Sequence, residues 1–315
     1  MMEPTPVYIC TGFLDSGKTL LVKDTLMEQE WIEPGLTLLI LCEEGEEEYS
    51  KEYLEENDMV LLKIDKFEQL NAAFFTNCEK NYHPAQVVIE YNGMWLVSDF
   101  EKMQLPQGWG VEQQITCVDA STFQMYMANM KSIFMDMVRN ADMVVFNRSK
   151  KEYPLANFRR SIKVVNPSAE VIFEDEEGEM TDIFADQMPF DLDAEIVDIP
   201  PEDYGIWFVD AMDHPDRYVG KTLRFKARAR RPRGMGSKFF IPGRTAMTCC
   251  ADDTSFLGYI CKSAYAPKLK PGEWVEVTAK VAFENRSEYQ GEGIVLYAEN
   301  VTPCEPLADE MVYFN

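Results

Sequence analysis

The chain has 315 residues, of which 46% are hydrophobic and 27% are charged, and its formal net charge is −24. This length predicts more than one domain, and this composition is typical of a globular protein. The negative charge argues against nucleic acid as a partner, because such a surface repels phosphate backbones. No apolar run approaches the roughly 20 residues of a membrane helix, and the N-terminal residues do not resemble a signal peptide. We therefore expect a cytoplasmic protein that is not embedded in a membrane.

The first part of the chain alternates short apolar runs with amphipathic stretches. Strands separated by helices indicate an α/β domain with a mostly parallel sheet. The predicted strands are residues 7–10, 36–42, 60–64, 87–90, 114–119, 143–147 and 170–173. The predicted helices lie near residues 17–29, 67–79, 121–140 and 154–163.

An acidic segment at residues 174–179 marks a change in the pattern, and we place a domain boundary after residue 188. Residues 1–188 carry 34 acidic and 15 basic side chains, a net charge of −19, whereas residues 189–315 carry 20 and 15, a net charge of −5. The second domain is predicted to be β-rich and of the OB-like barrel type. It would contain a helix at 202–212 and strands at 222–230, 246–250, 256–261, 274–283 and 293–300.

Residues 11–19 read Thr-Gly-Phe-Leu-Asp-Ser-Gly-Lys-Thr and contain the pattern G-x-x-x-x-G-K-T between a predicted strand and a predicted helix. In a phosphate-binding loop, glycines let backbone N–H groups turn inward and the helix N-terminus favours an anion. Lys18 would contact the β- and γ-phosphate oxygens, and Thr19 would offer its hydroxyl to Mg²⁺. The alternative is a glycine-rich turn without a ligand. The predicted nucleotide-binding residues here are Gly12, Asp15, Ser16, Gly17, Lys18, Thr19 and Leu20.

These motifs resemble the CobW group of P-loop GTPases, which are relatives of the metal-insertion GTPases of the HypB and UreG type. Cys42-Glu43-Glu44-Gly45 stands where the family has N-E-F-G, its first switch. Ile89-Glu90-Tyr91-Asn92-Gly93 stands where it has E-T-T-G, a Walker B strand followed by a glycine that senses the γ-phosphate. Residues 118–120, 141–150 and 166–169 match its V-D-A, A-D…N-K-x-D and N-P-x-A motifs. The resemblance covers about residues 5–173.

The resemblance implies a Mg²⁺-dependent GTPase switch. Lys18 and Glu90 would be catalytic, Thr19, Glu43 and Glu90 would hold Mg²⁺, and Gly93 and Asn147 would contact GTP. The residues give separate support for Glu90, because an unpaired carboxylate at the end of a buried strand is costly without a metal, water or cation nearby. A solvated strand end is the alternative for Glu90. Glu43 opens a run of nine acidic residues between positions 43 and 58, and a solvated helix face explains that run equally well.

The sequence departs from the family at two positions in the nucleotide site. Asp15 stands where the loop usually has glycine, and Lys150 replaces the aspartate that accepts two hydrogen bonds from guanine. Since lysine has no acceptor, we expect weak selectivity for GTP over ATP, although Asn147 is retained. Both departures favour an alternative function, a non-catalytic nucleotide-dependent binding module. The family's C-x-C-C metal motif is absent, so metal delivery does not follow from the resemblance.

Residues 247–253 and 270–275 resemble the C-terminal domain of the YcgQ family, bacterial proteins that accompany a predicted permease. This resemblance covers about residues 195–315 and implies a β-rich domain with a protein or permease partner. A third functional reading is a metallochaperone in which Cys249 and Cys250 bind a metal such as Zn²⁺; two idle thiols are the alternative. Residues 221–244 carry nine basic side chains and no acidic one. We expect this segment to dock on the acidic first domain, on a partner protein or on a nucleotide phosphate, and not on nucleic acid.

Overall fold

The structure is a computed structural model that describes residues 4–27, 34–180, 188–247 and 254–312. It contains two compact units, Met1–Leu155 with Val165–Ile183, and Ala156–Val164 with Phe184–Asn315. The first unit is α/β and the second is β-rich, which confirms the predicted fold class. Over these ranges, no helix is long and apolar enough to cross a membrane.

An eight-stranded sheet forms the centre of the first unit. Its strands are β1 (Thr5–Thr11), β2 (Thr37–Leu41), β3 (Met59–Lys63), β4 (Gln86–Glu90), β5 (Trp109–Asp119), β6 (Met143–Asn147), β7 (Glu170–Asp175) and β8 (Gly178–Glu179). The spatial order is β3-β2-β4-β1-β5-β6-β7-β8. All neighbours are parallel except β7 and β8, which form an antiparallel hairpin. The prediction of a mostly parallel sheet is therefore confirmed.

The described residues between these strands form seven α-helices, of which α7 belongs mostly to the second unit: α1 (Lys18–Leu21), α2 (Lys51–Glu56), α3 (Ala72–Tyr82), α4 (Val97–Phe100), α5 (Phe123–Asn129), α6 (Lys131–Arg139) and α7 (Leu155–Val165). Only the first turn of the helix predicted near 17–29 is α-helical (α1), because Val22–Leu26 is a π-helix. The helix predicted at 121–140 is two helices, since Met130 leaves the helical region with ψ 29°. Helix α3 begins only at Ala72, and the side chain of the preceding Asn71 caps it by accepting hydrogen bonds from two helical N–H groups.

The register of the sheet gathers the ends of several strands at one edge. Cys10 of β1 pairs with Glu90 of β4, and Asp119 of β5 pairs with Asn147 of β6. Because the carboxyl ends of parallel strands meet at the same edge, the loop after β1 lies between the ends of β4 and β5. Strands β2 and β4 are buried along their whole length, as interior strands of a parallel sheet are.

The second unit contains a closed barrel. Its elements are β9 (Ile196–Asp198), α8 (Tyr204–Asp213), β10 (Thr222–Arg230), β11 (Phe239–Met247), β12 (Thr254–Gly258), β13 (Ile260–Lys262), β14 (Trp274–Arg286), β15 (Gly291–Pro303) and β16 (Met311–Val312). The pairs β10–β11, β11–β13, β13–β15, β15–β14 and β14–β10 close a ring of five strands. Strand β9 lies parallel beside β10, and β12 and β16 pair with β11.

Strand β11 begins earlier than the strand predicted at 246–250, and the last three residues of that prediction lie outside the described ranges. Pro242 and Gly243 prevented the prediction of the first part of β11, because both residue types usually interrupt strands. Gly243 is required here, since a Cβ atom would lie 2.4 Å from the carbonyl oxygen of Leu257 on β12. The two strands therefore approach too closely for a side chain at that position.

The basic side chains of β10 lie on the outward face of the strand. Leu223, Phe225, Ala227 and Ala229 point into the core, so the basic residues between them point outward. Arg224 pairs with Asp198, and Arg228 with Glu310. Lys221 donates to Leu192 O at 2.8 Å, and Arg244 is buried. These four cations thus have contacts inside the second unit.

Candidate functional site

The loop after β1 closes tightly against the neighbouring strands. Gly12 has φ +137°, and a Cβ atom there would lie 2.3 Å from Cys117 O. Gly17 has φ +97°, and its Cβ would lie 2.5 Å from Asn147 Nδ2. Only glycine meets both requirements, which explains the glycine spacing in the motif. The loop then enters α1 through Gly17, the residue at the N-cap position.

Lys18 is buried, and its ammonium group is fully engaged. Nζ donates to Gly12 O at 2.9 Å and to Phe13 O at 3.0 Å. Its third partner is Glu43 Oε1 at 2.5 Å. Only 5% of the Lys18 side chain and 13% of the Glu43 side chain are exposed, so this ion pair is largely shielded from water.

The same oxygen of Glu43 contacts a second donor. The backbone N–H of Gly93 donates to Glu43 Oε1 at 3.2 Å. Gly93 lies so close to the loop that a Cβ atom would be 2.6 Å from Gly12 O. One anionic oxygen therefore sits between the lysine of the loop and the amide that follows β4. A phosphate oxygen at this point would meet the same two donors.

Glu90 is 2% exposed and accepts two hydrogen bonds. Thr19 Oγ1 donates to its Oε2 at 3.0 Å, and the Tyr49 hydroxyl donates to its Oε1. Burial raises the pKa of Glu90, whereas the bonds from Tyr49 and Thr19 and the nearby Lys18 oppose this rise. Glu90 is thus a buried carboxylate beside a threonine hydroxyl, not a solvated strand end.

Asp15 and Arg148 link the loop to its surroundings. Asp15 has φ 58°, and its Oδ1 accepts from Glu46 N at 3.0 Å, so its carboxylate faces the segment after β2. Arg148 Nη1 donates to Asp15 O at 3.1 Å and pairs with Asp119 Oδ2 at 2.7 Å. Asn147 Nδ2 donates to Ser16 O at 2.7 Å. Residues 147 and 148 therefore brace the loop from β6.

Two cavities lie on either side of Gly17, Leu20 and Arg148, which line both of them. The first has a volume of about 100 Å³ and contains the Lys18, Thr19, Glu43 and Glu90 side chains. The second has a volume of about 320 Å³ and is more apolar, with Leu21, Cys117 and Val145 in its wall. A small polar compartment therefore adjoins a larger and more apolar one.

The residues present suit Mg²⁺ bound together with a nucleotide. Magnesium takes oxygen ligands and is usually held by one or two carboxylates plus substrate phosphates. Thr19 and Glu90 supply such oxygens 3.0 Å apart, and Ser16 Oγ is buried without a hydrogen-bond partner in the described structure. Across the described part of the chain, no group of three His, Cys, Asp or Glu side chains could hold a metal ion alone.

The described cysteines are poor candidates for a thiolate site. Burial raises the pKa of Cys42, Cys117 and Cys261 to about 12, so these thiols stay protonated at neutral pH. Cys249 and Cys250, the predicted metal-binding pair, lie outside the described residues.

The structure brings together most of the predicted site residues and adds three that sequence reasoning missed. Leu20, Lys18, Thr19, Glu43 and Glu90 line one cavity, whereas Asn147 lines the other. The added residues are Tyr49, Arg148 and Glu174. Only Arg148 had a signal, because it stands at the lysine position of N-K-x-D. Tyr49 lies in an acidic run, and Glu174 opens the acidic segment at residues 174–179, which was interpreted only as a change in the pattern.

Comparisons with known proteins place these features in a family. The family described as CobW/HypB/UreG, nucleotide-binding domain, matches residues 6–173, and the DUF1980 C-terminal domain matches residues 176–314. Both resemblances seen in the sequence are confirmed. A search of curated proteins found no match.

Among solved structures, the Zn(II)-bound YjiA GTPase from E. coli is 16% identical, with a TM-score of 0.44, over 82% of this chain and 89% of that one. HypB from Archaeoglobus fulgidus is 18% identical, with a TM-score of 0.39, over 55% and 82%.

Proposed function

Because the chain belongs to the CobW/HypB/UreG family of nucleotide-binding domains, we propose that its first unit is a magnesium-dependent GTPase that works as a switch. The observation that carries this proposal is the position of Glu43 Oε1, which contacts both Lys18 Nζ and the Gly93 amide. A buried lysine and a backbone N–H that converge on one oxygen form an anion site, and a γ-phosphate oxygen carries the charge that such a site prefers.

The residues around this position divide the work of phosphate transfer. Lys18 stabilises charge on the β- and γ-phosphate oxygens, while the loop amides hold the phosphates in place. Thr19 and Glu90 hold or orient Mg²⁺, which neutralises developing charge on these oxygens when it is bound. Water attacks the γ-phosphorus, the bond to the β-phosphate oxygen breaks, and GDP and phosphate leave. Arg148 is already engaged with Asp119, so we expect slow turnover without a partner that adds a cation.

The switch lies in the segments that follow β2 and β4. GTP must displace Glu43 from Lys18, which frees the segment around residues 43–46 from the loop. Hydrolysis and phosphate release would allow the ion pair to form again. Order and disorder of such segments are the usual output of GTPase switches.

The barrel serves as the output domain in this proposal. If β12 and β13 are counted as one broken strand, the five strands of the ring in chain order are β10, β11, β12–β13, β14 and β15. Around the ring they meet in the order 1-2-3-5-4, and we propose that the barrel is OB-like. A protein or a permease is the proposed partner, in the cytoplasm and in metal homeostasis. A metallochaperone role would have to use Cys249 and Cys250, since the described thiols are buried or partly buried.

The test is a hydrolysis assay with GTP and ATP, with Mg²⁺ and then with Zn²⁺ or Co²⁺ added. We expect Mg²⁺-dependent release of phosphate from GTP, and a loss of about 100-fold or more in Thr19→Ala. Thr76→Ala on α3 is the matched control and should keep wild-type activity, because Thr76 bonds only to its own helix. Nucleotide binding without turnover under all conditions would instead support the non-catalytic binding module.

A further inference from the structure

The cavity of about 320 Å³ beside the loop has no role in phosphate binding, yet three consecutive acidic residues line it: Glu174, Asp175 and Glu176. The cavity shares Gly17, Leu20 and Arg148 with the phosphate compartment. A purine attached to phosphates in the first compartment would therefore reach the second.

The strand register places the Glu174 side chain on the face of the sheet that lines this cavity. Val145 of β6 pairs with Ile172 of β7, and Phe146 pairs with Phe173. Since side chains alternate along a strand, Asn147 and Glu174 point to the same face as Val145, which lines the cavity. The Ser149 amide donates to Glu174 O at 2.8 Å and holds the two strand ends together.

Glu174 is partly buried, and its carboxylate has neither an ion-pair partner nor a hydrogen-bond donor among the residues that the structure describes. Burial, with a smaller effect of Glu179, raises the pKa of Glu174. Beside it, Asn147 Oδ1 is buried and has no partner in the same ranges. The neighbouring acidic residues differ, because Asp175 Oδ1 accepts from Glu177 N at 2.8 Å and Glu176 is exposed.

We propose that Glu174 supplies the carboxylate that reads the guanine base, in place of the acceptor that Lys150 cannot provide. The proposal rests on the proposed nucleotide-binding function. Guanine presents two adjacent donors, N1–H and the N2 amino group, and a carboxylate accepts from both. Adenine presents an unprotonated N1 at the corresponding position, so a carboxylate would face a second acceptor. Glu174 thus makes the site selective for guanine while Lys150 remains exposed.

The test measures binding of GTP, ITP, ATP and XTP by calorimetry to wild type and to Glu174→Gln. We expect wild type to prefer GTP over ATP and XTP, and ITP to bind more weakly than GTP because it lacks the N2 amino group. Glu174→Gln should lose about 10- to 100-fold in GTP affinity and gain XTP binding, because a carboxamide can donate to the oxygen at C2 of xanthine. Glu177→Gln, on the same turn but exposed and outside the lining of the cavity, should change neither affinity.

The outcomes separate this proposal from the one on which it rests. If wild type binds no nucleotide, both proposals are wrong. If wild type binds nucleotides but prefers GTP over ATP by less than about threefold, or if Glu174→Gln leaves the ratio of GTP to XTP unchanged, only the role of Glu174 is wrong. The wild-type ranking does not depend on any variant, so a missing preference for GTP overturns the role of Glu174 even if Glu174→Gln fails to fold. A preference for GTP that persists in Lys150→Ala supports the proposal.

Discussion

Lys18 Nζ and Glu43 Oε1 lie 2.5 Å apart where the loop after β1 meets the segment after β2, and both side chains are largely buried. A shielded ion pair is hard to separate unless another group of the same charge replaces one member. In the proposed function a phosphate oxygen would do so, because it would bring negative charge to the same lysine. The pair therefore links anion binding to the position of the segment that follows β2, and the first two predictions concern its two members.

Lys18→Ala should abolish nucleotide binding while the fold remains. Among the described residues that line the first cavity, Lys18 alone carries an ammonium group, and loss of a buried charge-assisted contact to phosphate should weaken GTP binding by about 100-fold or more. Calorimetry on wild type and variant provides the measurement, with circular dichroism to check folding. Lys51→Ala, on the exposed face of α2, is the control. Equal affinity in two folded proteins would contradict the phosphate-loop assignment.

Glu43→Gln should have the opposite effect on binding without magnesium. The neutral side chain competes less well for Lys18, so GTP affinity in EDTA should rise by roughly fivefold, the equivalent of about 1 kcal/mol. Glu44→Gln is the control, because Glu44 pairs with Lys63 outside the cavity. Weaker binding in EDTA would show that Glu43 helps to build the site instead of competing for it. A loss confined to samples with Mg²⁺ would favour Glu43 as a ligand, as the sequence predicts.

Glu90→Gln should make the nucleotide-free protein more stable at neutral pH. Burial raises the pKa of Glu90 above its unfolded value, so the native state binds more protons between the two values. The cost of the buried carboxylate therefore grows as pH rises through this window and disappears below it. Urea unfolding at several pH values should show a stability gain for Glu90→Gln near pH 7.5 that shrinks on acidification. The exposed Glu52→Gln should show no such trend, and a constant difference at all pH values would refute the linkage.

Sequence reasoning reached the sheet and the loop because both depend on local patterns. An apolar strand or the pattern G-x-x-x-x-G-K-T can be recognised from a few consecutive residues, and β6 was predicted with its observed bounds, Met143–Asn147. The Lys18–Glu43 pair was not foreseen, because it joins residues 25 positions apart that both read as ligands of something else. Glu174 was missed for a similar reason: that it lies beside Asn147 follows only from the register of β6 and β7, which the sequence does not give.

Arg244→Ala should destabilise the second unit far more than Arg224→Ala. Arg244 is 2% exposed and donates to Pro201 O, to Asp309 O at 3.1 Å and to Met311 O at 2.9 Å, so it fastens β16 beside β11. Removing it takes away three charge-assisted hydrogen bonds to backbone carbonyls and the packing of a buried side chain, at a cost of about 3 kcal/mol or more.

Arg224 provides the matched comparison for this prediction. It lies on the outward face of β10 and pairs with Asp198 in an exposed ion pair, which contributes about 1 kcal/mol or less. Urea unfolding of the full chain, followed by circular dichroism, should therefore separate the two variants clearly. If both lost the same small amount, Arg244 would belong with the exposed cations of the basic segment. A large loss in Arg244→Ala alone would show that this segment combines a structural arginine with exposed cations whose ion pairs contribute little to stability.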